Sequence, residues 1–131
     1  MARPDWDDYF LALAFTASIR ADCERRQVGA VVVDDRRRIR GTGYNGSAPG
    51  KPGCETCPRR LSGVAPGSSY DTGSGACVAL HAEMNALLYT DLPDRVGATL
   101  YITCEPCDGC RRTIAGAMIA RVVWPEGEYT Q

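Results

Sequence analysis

The chain has 131 residues, 44% of them hydrophobic, with 15 Lys or Arg against 16 Asp or Glu and a net charge of −1. That length predicts a single domain over residues 1–131, able to bury about two-thirds of its unfolded surface. The balance excludes a disordered chain and gives no basic footprint for duplex nucleic acid, since Arg25-Arg26, Arg36-Arg37-Arg38 and Arg59-Arg60 are only local clusters.

Residues 5 to 21 read as an amphipathic helix. Trp6, Phe10, Leu13, Ala14 and Ala17 share a face, and Asp5, Asp7 and Asp8 suit its N-terminal dipole. Val28 to Val33 is a buried strand, Asp34-Asp35 turns, and Ile39 to Tyr44 returns as a hairpin partner. Residues 45 to 76 are rich in Gly, Pro and Ser, and a loop of that length in a small domain is a functional signal. It holds Cys54-x-x-Cys57, so it is expected to be pinned by metal rather than by a core.

A helix follows from about Val78 to Tyr89, with Leu80, Met84, Leu87 and Leu88 as its buried side. Thr99 to Thr103 is a strand, Cys107 to Ala117 a helix, and Arg121 to Trp124 a last strand. The order predicts an α/β fold of three layers, a mixed sheet of about four to five strands flanked by helices, its last strand–helix–strand unit a parallel crossover. The start of the chain has no apolar signal region and no run reaches the ~18 apolar residues of a membrane span, so a cytoplasmic location without membrane contact is expected. Seven cysteines there point to metal rather than disulfides, and the odd count leaves one unpaired.

The single histidine stands in His81-Ala82-Glu83, and Pro106-Cys107-Asp108-Gly109-Cys110 follows. H-x-E followed by P-C-x-x-C is the signature of zinc-dependent deamination of nucleobases or nucleotides. Cys107 and Cys110 share one face at a helix start, where the dipole favours thiolates. With His81 they supply three zinc ligands, leaving a fourth position open. Glu83, two residues from His81, is not expected to point the same way and suits proton transfer rather than ligation. Four more cysteines, Cys23, Cys54, Cys57 and Cys77, have the spacing for a second, structural zinc, whose excess negative charge Arg25, Arg26, Arg59 or Arg60 would offset. Cys104 lies just outside the motif and reads as an ordinary buried thiol.

At Trp6-Asp7, Tyr9-Phe10, Cys23, Arg26 to Ala30, Gly43-Tyr44-Asn45-Gly46, Cys54, Cys77, His81 to Ala86 and Pro106 to Cys110 the chain resembles the deoxycytidylate (dCMP) deaminase family of the cytidine deaminase-like superfamily, in its short bacterial, phage or late-competence form. The resemblance implies hydrolysis of dCMP to dUMP with release of ammonia, a water on zinc attacking C4 and Glu83 shuttling protons. It implies that Asn45 contacts the nucleotide and that Ala82 and Cys107 offer backbone groups to the base. It also implies a structural zinc through the positions of Cys23, Cys54 and Cys77, a homo-oligomer, often a hexamer, and dCTP or dTTP effectors accompanied by Mg2+. Family members usually continue past the last strand with another helix and strand, whereas this sequence stops soon after Trp124. Their phosphate-contacting tyrosine is matched by Tyr129 only with a one-residue shift, and their basic residue after the catalytic helix has Arg95 as its nearest candidate. The residues themselves leave two alternatives open: a deaminase of another small base, nucleoside or nucleotide, and a zinc-stabilised interaction protein without turnover. The balanced charge and two phenylalanines argue against a polynucleotide substrate.

Overall fold

In a computed structural model, which describes residues 2–23, 26–51 and 79–131, a five-stranded sheet runs through the centre with helices on both faces. In chain order the described elements are α1 (Trp6–Ser18), β1 (Gly29–Val33), β2 (Ile39–Tyr44), α2 (Ala82–Leu88), α3 (Leu92–Arg95), β3 (Thr99–Ile102), α4 (Asp108–Gly116), β4 (Arg121–Trp124) and β5 (Gly127–Thr130). The sheet order is β2-β1-β3-β4-β5. Only β3 and β4 are parallel, as a strand–helix–strand unit requires; the other neighbours are antiparallel.

Strand β1 is buried along its whole length, which explains its unbroken apolar run Gly-Ala-Val-Val-Val. Its residues alternate between two cores. Ala30 and Val32 join Leu100, Ile102 and Val122 beneath α2 and α4, whereas Val31 and Val33 join Tyr101 and Val123 beneath Phe10 and Ala14 of α1. Two glycines let the helices approach. A Cβ at Gly29 would strike the Ala14 carbonyl of α1, and one at Gly43 would strike the backbone of Ala82 and Ala86 in α2.

Several boundaries depart from the sequence reading. Helix α1 ends at Ser18, with Ile19 as its C-cap. Trp6, expected on the buried face, is 49% exposed, stacked on Phe10 and covered by the Arg37 guanidinium. Helix α2 begins only at Ala82 because His81 keeps extended backbone dihedrals as its N-cap. Its buried residues are Ala82, Glu83, Ala86 and Leu87, while Leu88 is 65% exposed. The small side chains face the sheet because α2 lies directly on the glycines of β2. Trp124 does not end the secondary structure: the turn after it returns the chain as β5, pairing Val122 with Tyr129 and Trp124 with Gly127. The Cys-rich stretch, with Cys54, Cys57 and Cys77, lies outside the described residues.

Candidate active site

The site forms at the carboxyl end of the parallel pair β3–β4, where ligand sites of open α/β sheets gather. Two helix starts meet there. One is α2, fixed by a two-way bridge in which Leu80 N–H donates to the Gly46 carbonyl (2.7 Å) and Gly46 N–H to the Leu80 carbonyl (3.2 Å). The Asn85 amide adds a bond to the Tyr44 carbonyl at 2.9 Å. The end of β2 therefore sets where His81 begins the helix. The other start is α4, whose N-cap is Cys107 itself, its sulfur accepting from Cys110 N–H at 3.5 Å. Ile114, one turn beyond Cys110, is fully buried and anchors the helix to the core.

His81 Nδ1 lies 3.0 Å from Cys110 Sγ and 3.8 Å from Cys107 Sγ. All three donor atoms fall within 4.8 Å of one another. The ligand–ligand edges of a tetrahedral zinc site with one nitrogen and two sulfurs are roughly 3.3–3.8 Å, so this donor set suits zinc in both chemistry and spacing. Glu83, only 4% exposed, closes the cluster: Cys110 Sγ donates to its Oε1 at 3.1 Å, and His81 Nδ1 is 3.8 Å from the same oxygen. The sequence predicts diverging directions for His81 and Glu83. They converge because His81 is an extended cap residue, to which helical face geometry does not apply.

Burial, with the Glu83 carboxylate next in size, pushes the Cys110 thiol far above its ordinary range. A dication among these groups reverses that preference, because a coordinating thiol gives up its proton. A zinc ion bound here would therefore displace the Cys110 proton.

A model of the cytidine and deoxycytidylate deaminase zinc-binding region matches residues 4–126. The chain belongs to this deaminase family. It is 61% identical over 127 residues to the deoxycytidylate deaminase of Mycobacterium phage D29, covering 96% of this chain and 98% of that protein. It is 40% identical to the deoxycytidylate deaminase of Schizosaccharomyces pombe, covering 93% of this chain but spanning only 37% of that longer protein. Among solved structures, the dCMP deaminase of cyanophage S-TIM5 superposes with a TM-score of 0.69 at 27% identity, over 94% of this chain and 84% of that one. The same phage enzyme has been solved in complex with dCMP and dUMP.

The deaminase fold distributes the other predicted residues unevenly. Ala82 is buried at the start of α2, and Cys107 caps α4, so both lie beside the cluster. Asn45 is buried nearby, with its side chain bridging two backbone groups: Oδ1 accepts from Val28 N–H (2.7 Å) and Nδ2 donates to the Arg26 carbonyl (2.8 Å). Tyr129 packs from β5 against the core that holds Cys110, and its hydroxyl is buried without a hydrogen-bond partner among the described residues. Arg95 goes elsewhere. It ends α3 and donates to the Thr90 carbonyl at 2.8 Å, past the opposite end of α2 from His81. Cys23 is half-buried beyond α1. Cys104 is half-buried and receives a bond from Arg26 Nη2 at 2.8 Å. Burial raises its thiol pKa while Arg26 opposes the rise. The sequence reading did not single out Arg111, whose guanidinium donates to Glu105 Oε1 at 3.0 Å and lies 4.6 Å from the Tyr129 ring centroid.

Proposed function

We infer that this chain is a zinc-dependent hydrolase converting dCMP and water to dUMP and ammonia. The observation that carries the reading is the convergence of His81, Cys107 and Cys110 on one centre with the buried Glu83 carboxylate against it. The named deoxycytidylate deaminases among its relatives support the substrate.

His81, Cys107 and Cys110 would hold a zinc ion, which would supply the Lewis acidity that favours attack of water on C4 of the pyrimidine. Glu83 moves the protons. Its carboxylate accepts one from the attacking water, delivers it to ring N3, and then passes the second to the departing amino group. Burial of Glu83 keeps bulk water from competing for those protons. The backbone groups of Ala82 and Cys107, at two helix starts, would hold the base. Asn45 would act from the nucleotide side while also fixing the Arg26–Val28 segment.

Within the same reading, Tyr129 contributes a substrate contact through its buried hydroxyl. Cys23, Cys54, Cys57 and Cys77 would hold a second, structural zinc. Assembly into a homo-oligomer, hexameric in form, response to dCTP and dTTP with Mg2+, and a cytoplasmic location extend it. Among the described residues no helix is long and apolar enough to cross a membrane.

Ammonia release measured across dCMP, CMP, dCTP, deoxycytidine, cytosine and guanine, with zinc counted on the same sample, tests the reading. Turnover of dCMP at least about tenfold better in kcat/KM than deoxycytidine is expected, equivalent to about 1.4 kcal/mol from the phosphate. Preference for deoxycytidine or a free base would overturn the nucleotide assignment. A single zinc per chain would overturn the structural site alone.

A further inference from the structure

Among the described residues, the Arg111 side chain links the edge strand β5 to α4. Arg111 follows the ligand Cys110 in the first turns of α4. Its guanidinium lies 4.6 Å from the Tyr129 ring centroid and 5.7 Å from that of Trp124. The two rings are themselves 6.0 Å apart. Arg111 Nη2 also donates to Glu105 Oε1 at 3.0 Å, so the guanidinium is fixed from the segment just before Pro106 and Cys107. Three pieces of the chain meet on this group: the approach to the ligand cysteines, the ligand helix and the last described strand.

What the clamp positions is a polar atom without a partner. The Tyr129 hydroxyl is buried and accepts or donates no hydrogen bond among the described residues. A buried hydroxyl left so is unfavourable. Tyr129 packs against the core cluster that contains Cys110; burial raises its phenol pKa and Arg111 opposes the rise. An unpaired polar group beside reacting residues, pinned by a cation on its ring face, is arranged to meet a ligand. Nothing else about β5 needs Arg111 for its pairing, because the strand already has its ladder to β4.

We propose that Arg111 is a positioning residue of the deaminase: by clamping Tyr129 and Trp124 onto α4 it fixes the Tyr129 hydroxyl as a wall of the substrate pocket. This rests on the dCMP reading and on Tyr129 as a substrate contact. Arg111 touches neither substrate nor metal and acts through Tyr129.

The test is a mutant cycle on the zinc-loaded enzyme. Arg111→Ala should raise KM for dCMP about tenfold, the size expected for losing a partly desolvated cation–π clamp. Its kcat and zinc content should stay within about twofold. Tyr129→Phe should raise KM similarly, and the double variant should be no worse than the stronger single one, since both break the same contact. Arg111→Lys keeps the charge but not the planar face, so its KM should stay raised. It also serves as the folding-safe variant should the alanine lose zinc. Unchanged KM in Arg111→Lys and Arg111→Ala, or effects that multiply with Tyr129→Phe, would overturn the assignment. If the wild-type chain fails to turn over dCMP at all, the substrate reading falls, and this inference with it.

Discussion

Two polar clusters lie on opposite faces of the same sheet, and they are built on opposite principles. Beneath α1, Asp7 accepts from the Tyr101 hydroxyl (2.8 Å) and from two nitrogens of Arg121 (3.0 and 2.7 Å). Arg121 Nε then donates to Glu128 of β5 at 2.6 Å. Donors meet acceptors and opposite charges meet, so the Asp7 carboxyl is held below its ordinary value, chiefly by the bond from Arg121, against the opposing effect of burial. Beneath α2 and α4, a carboxylate, two thiols and an imidazole are pressed together with one donated thiol proton among them. The first cluster ties α1, β3, β4 and β5 into one body. The second gathers three metal-ligating groups against a buried carboxylate, a set that suits a cation. The first cluster, built of paired opposite charges, serves the fold, and the second, built of metal donors, serves chemistry.

Removing a member of the metal-donor cluster should have the largest effect. Cys110→Ala deletes a ligand, so zinc content and ammonia release should collapse together while far-UV circular dichroism keeps its helical signal. A variant that turned over with zinc still bound would break the assignment of this thiol as a ligand. Next in size is Glu83→Gln, which removes the proton carrier and leaves the three ligands. It should lower kcat about 10²–10⁴-fold with zinc retained, and equal turnover by wild type and variant would refute the role of the carboxylate.

The self-satisfied cluster should answer in stability instead. Asp7→Asn should cost about 1 kcal/mol, a modest figure because Asp7 and Arg121 are both partly exposed. Thermal unfolding should show this as a fall of about 3 °C in Tm, with kcat unchanged. A large loss of turnover would mean that the two faces are coupled.

The smallest effect is in the pH dependence of that gap. Because the folded state lowers the Asp7 pKa, its stabilisation is complete above the ordinary value of 3.8 and is lost as pH falls through the lower folded value. The difference in unfolding free energy between wild type and Asp7→Asn should therefore hold steady at neutral pH and close in acid. The Tyr101 phenol moves the other way, raised by burial first and then by Asp7. Its contribution is complete below the ordinary value of 10.0 and fades only as pH rises beyond it. A gap between wild type and Asp7→Asn that widened in acid would contradict the bond between Asp7 and Arg121.

Much of this was readable in the residues. The hairpin β1–β2, the parallel unit β3–α4–β4 and the H-x-E and P-C-x-x-C segments follow from alternation, helical spacing and ligand chemistry, all of which are local. Misreadings arose where the environment overrides local preference. Leu88 looked like core by spacing, but the glycines of β2 draw the small face of α2 onto the sheet. Strand β5 was invisible because Gly127–Thr130 is short and only half-buried, as suits an edge. Arg95 was near in sequence to the catalytic helix, but its guanidinium is bonded at that helix's far end.

The sequence by itself determined the metal chemistry, because an imidazole and two thiols at those spacings, with a carboxylate two residues along, need no distant partner to declare their reactivity. It also determined the alternating strands whose two faces became two cores. Only the tertiary structure decided that His81 and Glu83 face one another, since that depends on where the Gly46–Leu80 bridge halts the helix and leaves the histidine extended. It alone decided which polar residues would meet as charge pairs. Asp7 and Arg121 are far apart along the chain, and their pairing exists only once α1 has settled across the sheet. Spacing along a chain fixes which groups a short segment offers, whereas long-range packing fixes which of them meet.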